Sequence, residues 1–205
     1  MLEPFPARQS YMRITFRVAL LSFLIGSTSP VAAAQSDKAE PDRKEGEKLY
    51  LEIHRVLTHP RCLNCHPNGD SPKQGDEARL HVPPITRGPK DSGPPGLHCA
   101  ACHQTKNYAA SGVPGAPNWH VAPRSMGWEN KSPGELCRAV LDRRRNGGKS
   151  LAEIVKHLTE DELVAWGWDP GKDAAGKDRQ PVPIAKPEFN RIVHAWAKAG
   201  AVCPQ

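Results

Sequence analysis

The sequence predicts a mostly α protein, with short helices joined by long proline- and glycine-rich loops. Three observations predict it. The last third, 132–205, repeats helix-start signals ahead of apolar residues at helical spacing. The stretch from Pro60 to Pro133 holds twelve prolines and eight glycines, too many for long helices or a continuous sheet. The pentapeptide Cys62-Leu63-Asn64-Cys65-His66 recurs as Cys99-Ala100-Ala101-Cys102-His103, so the loops are organised around a repeated chemical device.

At the N-terminus, Arg13 and Arg17 form a positive region ahead of the apolar run Val18 to Ile25, and Ala32-Ala33-Ala34 supplies small residues. That is the order of a secretory signal, with cleavage expected before Gln35. The apolar run is too short to span a bilayer. No adjacent arginine pair lies ahead of the apolar run, which favours the general secretory route. A start at Met12 in place of Met1 would give a more ordinary positive region. In a bacterial cell the destination is the periplasm. Residues 35–205 then make a single domain, with its chemistry in 35–131 and a helical part in 132–205.

Within that domain, 35–46 is charged and expected to be loose. Leu49, Ile53, Val56 and Leu57 give one apolar face to a helix over 45–58, which Pro60 stops. Loops follow from Pro67 to Pro95 and from Gly112 to Met126, with a helical turn expected after His103. Ser132-Pro133-Gly134-Glu135 is a capping box with proline at the first helical position, opening a helix to about Arg145 that Gly147-Gly148 closes. Ser150 and Glu153 repeat that spacing for a helix to about Leu158. Thr159 and Glu162 repeat it for a short one ending near Trp168. Pro187 opens the last helix, to Lys198, with Ile192, Val193 and Trp196 on its buried face. No strand signal stands out.

C-x-x-C-H is the attachment site of a c-type haem. Two thiols at this spacing reach both vinyl groups of one porphyrin, and the next histidine is held against the iron. Two copies predict two covalent haems c on Cys62 and Cys65, and on Cys99 and Cys102, with His66 and His103 as proximal ligands. A four-thiolate zinc site is the competing reading, but it has no need of a histidine at the same offset in both copies. Redox dithiols compete less well, since no strand precedes either motif. Only thirty-three residues separate Cys65 from Cys99, so the haems are expected to lie close together in one compact, multihaem cytochrome c-like envelope. The porphyrins would supply apolar core that the middle of the chain lacks, and residues 60–130 are not expected to fold without them.

The distal ligands are less constrained. The exported part contains one methionine, Met126, so at most one iron has histidine/methionine ligation. His81 and His120 follow the two proximal histidines at similar offsets and are the expected distal ligands, with Met126 competing at the second haem. His157 and His194 read as packed or surface histidines on helices. Trp119 and Trp128 adjoin these candidates and read equally as porphyrin contacts or as ordinary core. Cys137 and Cys203 remain once the motifs are filled. In an oxidising compartment an even pair predicts a disulfide.

The formal charge is +6 for the full sequence, with an excess at Arg143-Arg144-Arg145 and Lys149. This reads first as a solvated helix end, and second as a docking patch for an acidic redox partner or a peripheral membrane contact. Nucleic acid is not an expected partner of an exported haem protein. Two functions follow. One is single-electron transfer between a partner dehydrogenase and a respiratory acceptor. The other is an enzyme with one open iron acting on peroxide or a nitrogen oxide, for which no acid–base pair beside a haem is evident.

Beyond the motifs, the strings Pro60-Arg61-Cys62-Leu63-Asn64-Cys65-His66-Pro67-Asn68-Gly69-Asp70, Pro114-Gly115-Ala116-Pro117-Asn118-Trp119-His120 and Ser132-Pro133-Gly134-Glu135-Leu136-Cys137 resemble an exported dihaem cytochrome c family labelled isoquinoline 1-oxidoreductase subunit. The resemblance covers most of residues 35–205. It implies an electron-transfer role beside a molybdenum hydroxylase or another periplasmic dehydrogenase. No molybdopterin or substrate site is visible in the chain itself.

Overall fold

The structure, a computed structural model, describes residues 36–205, with side chains from Asp42 onward. The expected export signal lies outside the described residues. In chain order the elements are α1 (Ser36–Leu57), α2 (Pro60–Leu63), β1 (Lys73–Gln74), β2 (Arg79–Leu80), α3 (Pro133–Leu141), α4 (Leu151–Glu160), α5 (Glu162–Ala165) and α6 (Lys186–Lys198). Short 3-10 turns occupy Cys99–Ala101, Arg124–Met126 and Trp166–Trp168. The mostly α expectation holds. No helix among the described residues is long and apolar enough to cross a membrane.

The helices bury one another's apolar stripes. Tyr50, Ile53, Val56 and Leu57 of α1 meet Leu136 and Val140 of α3, Ile154 and Leu158 of α4, and Phe189, Ile192, Val193 and Trp196 of α6. Trp196 is fully buried. Its indole N–H donates to the Val202 carbonyl at 2.9 Å, and its ring lies 5.4 Å from that of Tyr50. Both capping boxes form: Ser132 with Glu135, and Ser150 with Glu153, each satisfying two otherwise unpaired N–H groups.

The expected disulfide joins Cys137 of α3 to Cys203 beyond α6, with Cα atoms 5.5 Å apart and a sequence separation of 66. It closes the long loop that contains α4, α5 and α6. Chain entropy gives a cross-link of that span about 4 kcal/mol. Cys203→Ser is therefore expected to lower unfolding stability by about that amount, read as a shift in denaturant midpoint under oxidising conditions. An unchanged midpoint would show that the bridge constrains nothing.

Four local expectations change. The helix expected to begin near residue 45 begins at Ser36, and i,i+4 pairing such as Arg43 with Glu47 favours helix in this charged segment. α3 ends at Leu141, with Asp142 as its C-cap, before the arginine run. Thr159 does not cap α5. Its buried hydroxyl donates to the Val155 carbonyl at 2.8 Å, and Asp161 caps instead, accepting from the Leu163 and Val164 N–H groups. A two-residue antiparallel hairpin joins Lys73 to Leu80 and Gln74 to Arg79, too short for any period to register in the sequence.

Candidate functional site

The first C-x-x-C-H motif begins in the last residues of α2, and the second begins a 3-10 turn. His59 caps α2 three residues before Cys62 and His98 caps the turn directly before Cys99, with φ of −70° in both and ψ of 147° and 152°. The N–H of the second cysteine donates to the carbonyl of the first, at 3.1 Å in both copies. The following histidine is then held in the same way twice. Nδ1 of His66 lies 2.8 Å from the Met126 carbonyl, and Nδ1 of His103 lies 2.7 Å from the Pro114 carbonyl. A carbonyl partner fixes the proton on Nδ1 and leaves Nε2 as the metal-binding nitrogen.

Both carbonyls are followed by a glycine with no space for a side chain. A Cβ on Gly127 would lie 2.5 Å from Asn68 Oδ1, and one on Gly115 would lie 2.3 Å from the Lys106 carbonyl. These close approaches let the supporting loops reach the histidines. A tryptophan completes each arrangement. Trp128 stacks on His66, with centroids 3.3 Å apart and planes 13° apart, and Trp119 stacks on His103 at 4.5 Å and 6°. The two tryptophans thus pack on the histidines. Beyond the motifs themselves, this second level of repetition has no counterpart in the sequence: Met126 lies 60 residues from His66, whereas Pro114 lies 11 from His103.

The surroundings of the two motifs differ. Cys62, Cys65 and His66 line a mostly apolar cavity of about 150 Å³ that opens to solvent and is walled by Leu57, Val140, Ile154, Leu158 and Trp166. Burial pushes the Cys62 thiol up to about 12 and lowers His66 to about 3, so the imidazole is neutral, the form that binds metal. Burial, followed by the nearby Cys99 thiol, pushes Cys65 up to about 11. The second motif lies at the surface, with Ala100, Ala101 and Cys102 exposed. An aromatic path joins the two sites: Trp119 meets Trp166 at 5.1 Å with planes 82° apart, and Trp166 lines the first cavity.

The other candidate ligands fall differently from their sequence offsets. His81 lies beside the second motif, its ring 5.9 Å from that of His103, and not beside the first. His120 lines the cavity of the first motif, and so does Met126. The loops cross, so each candidate lies beside the motif that its offset did not indicate. Nδ1 of His81 bonds the Pro83 carbonyl at 2.9 Å, and Nδ1 of His120 bonds the Asn118 carbonyl. His59 serves α2, its Nδ1 accepting from the Arg61 N–H. His194 is exposed, as expected. His157 is not merely packed: it lines the first cavity, and Nδ1 lies 3.1 Å from Asp161 Oδ2. The sequence signal for it was an i,i+4 His–Asp pair at a helix end.

The arginine run is largely engaged by its own chain. Arg143 donates to the Gly148 carbonyl, Arg144 pairs with Asp142, and Arg145 donates to the Ser125 carbonyl. That is the behaviour of a helix end. Lys149 lines the first cavity.

A covalently attached haem suits these residues. The thiols are unpaired, the histidines present Nε2, and the first motif opens on a mostly apolar cavity. A zinc ribbon would need four thiolates around one centre. Among the described residues no three His, Cys, Asp or Glu side chains gather in that way. No protein-family model, curated protein or solved structure matches the chain.

Proposed function

We propose that this chain is an exported c-type cytochrome with two covalent haems, which carries single electrons between a partner dehydrogenase and a respiratory acceptor. The observation that carries the reading is the twice-built histidine: Nδ1 on a backbone carbonyl, a glycine behind that carbonyl, and a tryptophan against the ring, at both C-x-x-C-H motifs. Bound haem iron would supply a one-electron couple. Cys62 and Cys65, and Cys99 and Cys102, would each add a thiol S–H across a vinyl group, forming a C–S bond and placing the hydrogen on the vinyl carbon. His66 and His103 would give Nε2 to the irons. Their carbonyl partners raise ligand basicity and hold the rings in place. Lys149 at the first cavity could pair with a porphyrin carboxylate.

The contrast between the sites supports a direction of traffic. The second motif is exposed and is the natural exchange point with a partner protein. The first is enclosed by helices and exchanges through the second. For the partner, the family resemblance implies a molybdenum hydroxylase; the periplasm is the compartment where haem attachment and the Cys137–Cys203 bridge are both chemically reasonable.

Expression with export and a haem c maturation system tests the reading. Pyridine haemochrome and intact mass are expected to give two haems per chain. A chain with zinc and no haem would replace this function with the structural zinc reading.

A further inference from the structure

We propose that His157 is the second axial ligand at the iron of the first site, with Asp161 as its positioning residue; this rests on the haem reading above. Three observations converge on it. On α4, residues 154, 157 and 158 share a face at i, i+3 and i+4, with Asp161 directly past its end, and Ile154, His157 and Leu158 all line the cavity that holds Cys62, Cys65 and His66. Nδ1 of His157 is committed to Asp161 Oδ2 at 3.1 Å, which leaves Nε2 free for the iron. A carboxylate behind a histidine is the arrangement that orients a metal ligand and raises its basicity. Asp161 is itself fixed, since its other oxygen, Oδ1, accepts from the Leu163 and Val164 N–H groups at 2.9 and 3.3 Å as the cap of α5.

His120 is the other histidine on this cavity, and its setting is less suited. It belongs to the stretch 120–128, whose Met126 carbonyl and Trp128 ring already hold His66. Its neighbour Trp119 is committed to His103, and its Nδ1 bonds a carbonyl only two residues away. A sixth ligand has to come from a wall other than the one that supports the fifth. α4 is such a wall, and it is a regular helix capped at Ser150.

The test uses the full mature chain with both haems. His157→Ala is expected to turn one of two low-spin haems high-spin in the paramagnetic resonance spectrum, to open it to carbon monoxide, and to recover on addition of imidazole. His120→Ala is the comparison. If it yields the high-spin haem while His157→Ala leaves both low-spin, the proposal is overturned. Asp161→Asn keeps an oxygen for the α5 cap and presents an amide to His157, so it reads the site even if His157→Ala does not accumulate. One haem is then expected to rise in potential, with a shifted low-spin signal. Unchanged potentials and signals would mean Asp161 only caps α5. Wild-type chain with fewer than two haems would fail the cytochrome reading itself, and haem counting detects that separately.

Discussion

Replacing Cys62 and Cys65 by serine is expected to destabilise the protein far more than the same change at Cys99 and Cys102. The first pair faces a cavity whose walls are Leu57, Val140, Ile154, Leu158 and Trp166, side chains from three helices and the turn after α5. Without a filling group those walls lose contacts on one side. Deleting a buried Trp side chain costs about 3–5 kcal/mol, and a porphyrin is larger, so the loss should be at least about 5 kcal/mol. For a chain of this size that is a fall in Tm of at least about 10 °C. The second pair sits at the surface beside Ala100 and Ala101, both exposed. Its loss should cost a few degrees and loosen the neighbouring loops. Thermal melts of the two double variants, read by circular dichroism, decide the matter. Equal losses, or a larger loss from the second pair, would contradict the division into an enclosed and an exposed site.

That prediction refines the expectation that the haems provide the core. The helices carry a conventional core of their own, centred on Tyr50, Leu136, Phe189 and Trp196 and tied by Cys137–Cys203. The need for a filling group is concentrated at the first motif. In the loop between the motifs, Arg87 is the buried charged side chain that ties the segments together.

What the sequence made legible was local. Ser132 with Glu135 and Ser150 with Glu153 form as read, because a capping box needs only its own four residues. The start of α5 was misplaced because Thr159 had a nearer acceptor one turn back, in the Val155 carbonyl. The motif residues were legible for the same reason as the boxes. Their supports were not, since a backbone carbonyl has no residue identity and Met126 could have been any residue ahead of a glycine. Matching offsets suggested that His81 serves the first motif and His120 the second. Loop crossing makes offset uninformative, and the structure exchanges their positions. His157 was hidden by a fair expectation that a helix histidine is packed or exposed. The aspartate four residues on was the discriminating feature.

Arg87→Ala is expected to cost about 3–5 kcal/mol, the usual penalty for removing one partner from a buried charged cluster. Arg87 is 5 % exposed, in a segment of prolines and glycines with almost no apolar side chains of its own. Its guanidinium donates to Asp91 Oδ1 at 2.8 Å, to the Gly69 carbonyl at 2.8 Å, and to the Ala122 and Pro67 carbonyls. One side chain therefore joins the loop after the first motif, its own loop, and the stretch leading to Met126 and Trp128. The Asp91 carbonyl in turn accepts from the Val121 N–H at 2.7 Å, and the Cys65 carbonyl accepts from the Ala122 N–H at 2.9 Å. Cutting the guanidinium out leaves those carbonyls without their donor and frees the stretch that orients His66. Arg87→Lys keeps the charge but not the planar fork, so it should recover only part of the loss. Denaturant titration measures the stability change, and hydrogen exchange should rise at 67–70 and 121–122. If the midpoint and the exchange rates stay at wild-type values, the loops are held by something other than Arg87. If stability falls while the spectrum of the first haem is unchanged, the orientation of His66 depends on Trp128 and the Met126 carbonyl alone.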